Sequence, residues 1–162
     1  MAKRISSKKT LKFVIPGRPL CSGSPANRRL RAPEEREKNG ANSYRALVAM
    51  CAKCAVIEQE WEVVPDEPLY ILLTINLGPG RVCRIVQQEK MWRGEILPTR
   101  EPSVDRLVRV IMGALKDIVY TARRQVVGLL TVKRYTKNEQ CVEVLVGRPS
   151  NWGELNHDLR NA

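Results

Sequence analysis

The stretch Leu69-Tyr-Ile-Leu-Leu-Thr-Ile-Asn-Leu77 is apolar or β-favouring almost throughout, with Pro65-Asp-Glu-Pro68 before it and Gly78-Pro-Gly80 after it. A run of this length is too short to cross a bilayer as a helix, and its bounds and β-branched content read as a buried strand. The chain has 162 residues, of which 43% are hydrophobic, enough for one core and one domain. No uninterrupted apolar run of about 18 residues exists, so no membrane span is expected. Met1 to Lys12 begins basic but lacks the apolar region of a secretory signal.

The other elements follow from local pattern. Leu11 to Ile15 is a short strand closed by Pro16-Gly17, and residues 17–42, rich in Pro, Gly, Ser, Asn and Arg, read as a long loop. Ser43 caps a helix reaching about Trp61, with Tyr44, Leu47, Val48, Cys51, Cys54 and Ala55 on one stripe. Val82 to Val86 reads as a strand, Met91-Trp92 as an apolar anchor, and Pro98 and Pro102 bracket a loop. Ser103 caps a second helix that still includes Asp117 and whose stripe is Val104, Leu107, Val108, Ile111, Met112, Leu115 and Ile118. Val126 to Tyr135 and Cys141 to Val146 read as a hairpin joined by Thr136 to Gln140. This order predicts an α+β domain, with a mixed sheet and two main helices packed on it, over residues 11–147. A disordered basic tail at 1–10 and a polar tail at 148–162 flank it.

Charge narrows the partner. The formal net charge is +11, and the excess sits in two places: residues 1–31 hold nine bases and no acid, and residues 103–136 hold seven bases and two acids. That distribution points to nucleic acid. Aromatic residues make up only 5% of the chain, so phosphate contacts are favoured over base stacking. Cys51-Ala-Lys-Cys54 has CxxC spacing, but the single histidine, His157, is far off in the tail and Cys21, Cys83 and Cys141 are scattered. Core packing of both thiols is therefore expected ahead of zinc or redox chemistry. Five cysteines, an odd number, make a disulfide framework a poor reading. Neither a phosphate-cradling GxxxxGK[ST] loop nor a Ser/His/Asp set is present.

Several segments carry a resemblance in order: Phe13-Val-Ile-Pro-Gly-Arg-Pro19, Pro102-Ser-Val-Asp-Arg-Leu107, Ala114-Leu-Lys-Asp-Ile-Val-Tyr120, Gln125-Val-Val127, Val132-Lys-Arg-Tyr135 and Val142-Glu-Val144. Over residues 11–147 the chain resembles the RusA family of phage-type Holliday junction resolvases. The resemblance implies a small homodimer in a bacterial cytoplasm, acting on four-way DNA junctions. In that family, aspartates in Pro-Asp-x-Asp and Lys-Asp-Asp segments hold Mg²⁺, a hard ion that takes carboxylate oxygens and stabilises charge on the scissile phosphate.

The match breaks at the acids. The first family aspartate falls on Ser103, the second is kept as Asp105, and the later pair falls on Ala122 and Arg123. The asparagine after the second aspartate is Arg106, and a helix lysine one turn on is Arg109. Asp105 and Arg109 are thus what remains of the catalytic set, and one carboxylate is a poor Mg²⁺ cage. Arg123 is expected to occupy the vacated place and pair with Asp105, since guanidinium stays charged. Glu101 and Glu95 are the nearby substitute acids.

The expectation is a DNA-binding protein of RusA-like fold, without a metal cofactor and with its nuclease activity lost, in an architectural or regulatory role on branched or duplex DNA. The expected contacts are Arg28, Arg29 and Arg31 in the loop, Arg106, Arg109, Arg123 and Arg124, and Lys133. Lys133 and Arg134 are neighbours on a strand, so at most one faces the DNA. Two further readings stay open. One is an active Mg²⁺-dependent endonuclease with a rearranged site. The other is a module that binds a host or phage protein through Trp92, Trp152 and the tail.

Overall fold

The computed structural model describes residues 10–20, 33–80 and 83–149, with side chains in the first helix described from residue 42 onward. The basic tail before Thr10, the loop arginines Arg28, Arg29 and Arg31, and the tail from residue 150 with Trp152 lie outside the described residues. The elements are β1 (Thr10–Pro16), α1 (Pro33–Glu58), β2 (Leu69–Leu77), α2 (Ile85–Trp92), α3 (Val104–Leu115), β3 (Val126–Tyr135) and β4 (Cys141–Gly147). They build an α+β domain with a mixed sheet of four strands, in the order β1-β4-β2-β3.

The run at residues 69–77 is β2, an inner strand pairing antiparallel with β4 and parallel with β3. All its residues are buried except half-buried Thr74. Alternation divides them between two faces. Leu69, Ile71, Leu73, Ile75 and Leu77 join the main core beneath α1 and α3, while Tyr70 and Leu72 cluster with Leu130 and Leu145 on the opposite face. On that second face Gly147 lies directly beneath the Tyr70 ring, where a Cβ would collide with the ring carbons.

Five local expectations are corrected. The first helix begins at Pro33 rather than at Ser43. Pro33 opens it without losing a needed N–H, and the Gly40-Ala-Asn-Ser43 stretch does not end it. Its buried stripe is Tyr44, Val48, Ala52 and Ala55, which leaves Cys51 half-buried and Cys54 exposed. The CxxC pair is therefore not packed in the core as a unit, and Cys51, Cys54, Cys83 and Cys141 are all free thiols. Residues 85–92, expected to begin within a strand, form α2, a third helix favoured by its unbranched Gln87, Gln88, Glu89, Lys90 and Met91. α3 ends at Leu115, earlier than its apolar stripe suggests. Asp117 lies beyond it at a φ of 65°.

The fifth correction concerns the last two strands, which are not a hairpin. The chain leaving β3 crosses the end of β2, where Thr136 N–H donates to the Leu77 carbonyl at 2.9 Å, and β4 enters between β1 and β2. At the other edge of the sheet, the Gln59 side chain accepts from Lys12 N–H at 3.1 Å and donates to Lys12 C=O at 2.6 Å. An amide side chain thus stands in for a neighbouring strand on part of the β1 edge.

Two core tyrosines give the fold an alkaline limit. Tyr120 donates its hydroxyl to the Met112 carbonyl at 2.6 Å, and burial pushes its pKa up to about 12; burial pushes Tyr44 up as well. A raised pKa in the fold means that this stability is complete below the unfolded value near 10 and is lost as pH rises through about 12. Absorbance at 295 nm should show these two phenols ionising only together with loss of the far-ultraviolet circular dichroism. Full ionisation of all four tyrosines near pH 10.5, with the fold intact, would contradict this.

Candidate functional site

Asp105, Arg109 and Gly113 stand at intervals of four residues on α3 and form one row on its outer side, while Leu107, Ile111, Met112, Ala114 and Leu115 face the core. The row has a different character at each end.

At the N-terminal end the chain enters α3 through a cis Glu101-Pro102 bond. Lys133, reaching from β3, donates to the carbonyls of Arg100 at 2.9 Å and Pro102 at 3.2 Å, which holds this entry against the sheet. Two of the three Lys133 ammonium donors are thus used inside the molecule. Arg134 faces the opposite side, bonded to Asn76 Oδ1 at 2.7 Å and paired with Glu143 at 3.3 Å. Ser103 is the N-cap of α3, but its hydroxyl bonds to Asp105 Oδ1 instead of to the helix N–H groups. The Ser103 N–H donates to Glu101 Oε2 at 2.7 Å. Two carboxylates, Glu101 and Asp105, are thus gathered around Ser103.

The Ser103 hydroxyl, followed by nearby backbone N–H groups and Arg109, holds the Asp105 carboxyl below its ordinary pKa. Arg109 lies 3.9 Å from Asp105, both side chains being mostly exposed, an i,i+4 pair of modest strength. Arg106 is exposed on the next position of the helix. A cavity of about 840 Å³ opens beside this end, lined by Arg18, Cys83, Arg100, Glu101, Tyr135 and Gln140 among others. Among the described residues no group of three or more His, Cys, Asp or Glu side chains converges as metal ligands, and Glu95 does not join Glu101 and Asp105. These residues do not reproduce the three-aspartate set that the resemblance implies.

At the other end stand cations. Arg45, from α1, donates through Nη2 to the Gly113 carbonyl at 3.0 Å. Arg123 also reaches Gly113: a Cβ built there would meet Arg123 Nη2 and Arg45 Nη2, each at 3.7 Å. The expected pairing of Arg123 with Asp105 is therefore corrected. Asp105 and Gly113 are eight residues apart, about 12 Å along the axis, and Arg123 approaches the far end of that span. Among the described residues no carboxylate pairs with Arg45 or Arg123.

Arg124 turns the other way and pairs with Asp66 at 2.7 Å, so the two neighbouring arginines do not act on one surface. What fixes them is Gln125, which is 3% exposed. Its Oε1 accepts from Thr121 N–H at 2.8 Å, Thr121 hydroxyl at 2.7 Å and Ala122 N–H at 2.9 Å. Its Nε2 donates to Val64 C=O at 2.9 Å and Glu67 C=O at 3.2 Å. The turn carrying Arg123 is thereby locked to the α1–β2 connection.

Sequence reasoning did not find Arg45 or Gln125. Arg45 is an ordinary polar position beside Tyr44, and only the packing of α1 on α3 brings it to Gly113. Gln125 lay within a quoted motif, but nothing local distinguishes a buried amide there from an exposed one.

Comparison with known proteins adds one distant relative. No protein-family model matches the chain. It is 27% identical over 140 residues to the uncharacterized protein YqaN of Bacillus subtilis (strain 168), across 84% of this chain and 94% of that protein. Among the described residues no helix is long and apolar enough to cross a membrane.

Proposed function

We propose that this chain is a RusA-like DNA-binding protein that acts on branched or duplex DNA as a homodimer in a bacterial cell without cutting it. The observation that carries the reading is the row on α3: Arg109, then Arg45 and Arg123 over Gly113, with no carboxylate paired to the last two among the described residues. Guanidinium groups gathered along one helix face from three elements suit phosphate contacts, which give affinity without sequence preference. A junction-binding protein without cleavage would serve an architectural or regulatory role in recombination.

One observation favours a second reading, an active endonuclease. Glu101 and Asp105 converge on Ser103, and Mg²⁺ is commonly held by one or two carboxylates completed by water and phosphate.

A four-way junction gel with and without Mg²⁺ separates the two. The DNA-binding reading expects a shift that weakens with salt and no cut strands under either condition. Arg123→Glu should weaken binding by roughly tenfold, while Arg124→Glu, whose native partner is Asp66, should change it little. Strand cleavage that requires Mg²⁺ and disappears in Asp105→Asn would replace the proposal with the nuclease reading. Absence of any shift at low salt would end both.

A further inference from the structure

We infer that Arg45 and Arg123 together close on a single phosphate group above Gly113, a deepening that rests on the DNA-binding reading. The two guanidinium nitrogens each lie 3.7 Å from the point where a Gly113 side chain would begin, so they are separated by at most twice that distance. Two charge-assisted bonds of about 2.8 Å to different oxygens of one phosphate place their donors roughly 5–8 Å apart. A separation within that bound lets both guanidinium groups reach oxygens of one phosphate.

Three further features fit this use. Gly113 lies within a helix, where glycine is among the least favourable residues, and its missing side chain leaves open the space beside both guanidinium nitrogens; a methyl group there would rest in ordinary contact with each and take the place of a phosphate. Its carbonyl is among the last four of α3 and lacks an intrahelical donor, so Arg45 is held by one N–H while its others stay open. Arg123 is held from the opposite side by the Gln125-locked turn. Arg45 is anchored by its bond and the backbone of Arg123 by its turn before any ligand arrives, and neither cation can relieve their mutual repulsion by deprotonation. A bound phosphate relieves it.

The bland alternative is that both arginines merely offset the negative carbonyl end of α3. Duplex binding measured against salt concentration tells these apart. Each phosphate neutralised contributes a slope of about 0.9 in log K against log salt. The clamp expects Arg45→Gln and Arg123→Gln each to lose most of one such unit, and the double variant to lose no more than about 0.9. Gly113→Ala, which fills the gap and favours the helix, should weaken binding on the order of tenfold while raising thermal stability. A loss near 1.8 in the double variant means two separate phosphates and overturns the clamp. Unchanged slopes mean helix capping alone and overturn it too.

If the wild-type protein binds no duplex, the DNA reading falls and the clamp is judged separately. Titration with inorganic phosphate should then shift the Arg45 and Arg123 Nε–H resonances together, with saturation, and not in Gly113→Ala. Absence of that joint shift overturns it.

Discussion

Arg148→Ala is expected to lower the unfolding free energy by about 3 kcal/mol, near the bottom of the range for breaking a buried ion pair. Arg148 follows β4 and is 8% exposed. Its guanidinium lies 3.8 Å from the centroid of the Trp61 ring, its Nε is 2.6 Å from Glu67 Oε2, and its Nη2 donates to the Glu62 carbonyl. Trp61 is in turn bonded through Nε1 to the Val119 carbonyl at 3.1 Å. One side chain therefore ties the end of the last strand to the α1–β2 connection and to the segment after α3. The low end of the range applies because the Glu67 side chain keeps about a third of its exposure, so water rescues part of its lost partner. Arg148→Lys keeps the charge but not the planar stack or the fork of donors, and should fall between. The Arg148→Ala/Glu67→Ala double variant should lose less than the sum of the singles. Urea unfolding measures all three, and a loss under 1 kcal/mol for Arg148→Ala would remove the argument.

Gln125→Ala should cost a similar amount, about 3 kcal/mol, through a different mechanism. It deletes an amide that makes five hydrogen bonds and leaves backbone groups of Val64, Glu67, Thr121 and Ala122 without that partner. The cost also has a functional signature, because the turn at Arg123–Gln125 sets where Arg123 points. DNA affinity of the folded variant should drop roughly threefold to tenfold beyond any loss from unfolding, because Arg123 gains freedom that binding must remove. Gln125→Glu keeps the three accepted bonds and replaces two donors by an acceptor facing carbonyls, so it should be no better tolerated than alanine. Native affinity in a strongly destabilised Gln125→Ala would separate the turn from the contact and refute the link.

What was legible in the sequence was whatever a short window determines. The nine-residue run at Leu69–Leu77 is the buried strand, and the stripe of Leu107, Ile111 and Leu115 is the core face of α3. The position of the α3 cap at Ser103 was legible too, although not the partner its hydroxyl chooses. Strand order was not legible. Thr136 to Gln140 has the length and composition of a turn, and only the pairing of β2 with both β3 and β4 shows it to be a crossing. The acid and base positions were legible as residue types but not as neighbours. Glu101 reaches Ser103 across a cis bond, and Arg123 stops at Gly113, short of Asp105, because sequence matching carries no measure of distance along a helix.

The crossing has a consequence for biosynthesis. Among the described residues, β1 pairs in the sheet with β4 alone, Leu11 against Val146 and Ile15 against Val142. At ordinary translation speeds, β1 waits on the order of ten seconds after emerging from the ribosome before β4 exists to receive it. Through that interval Leu11 and Ile15, wholly buried at the end, have no permanent place. The four-stranded sheet is completed only when β4 takes its place between β1 and β2. A chain that stops translating after β3 leaves β1 without that strand partner.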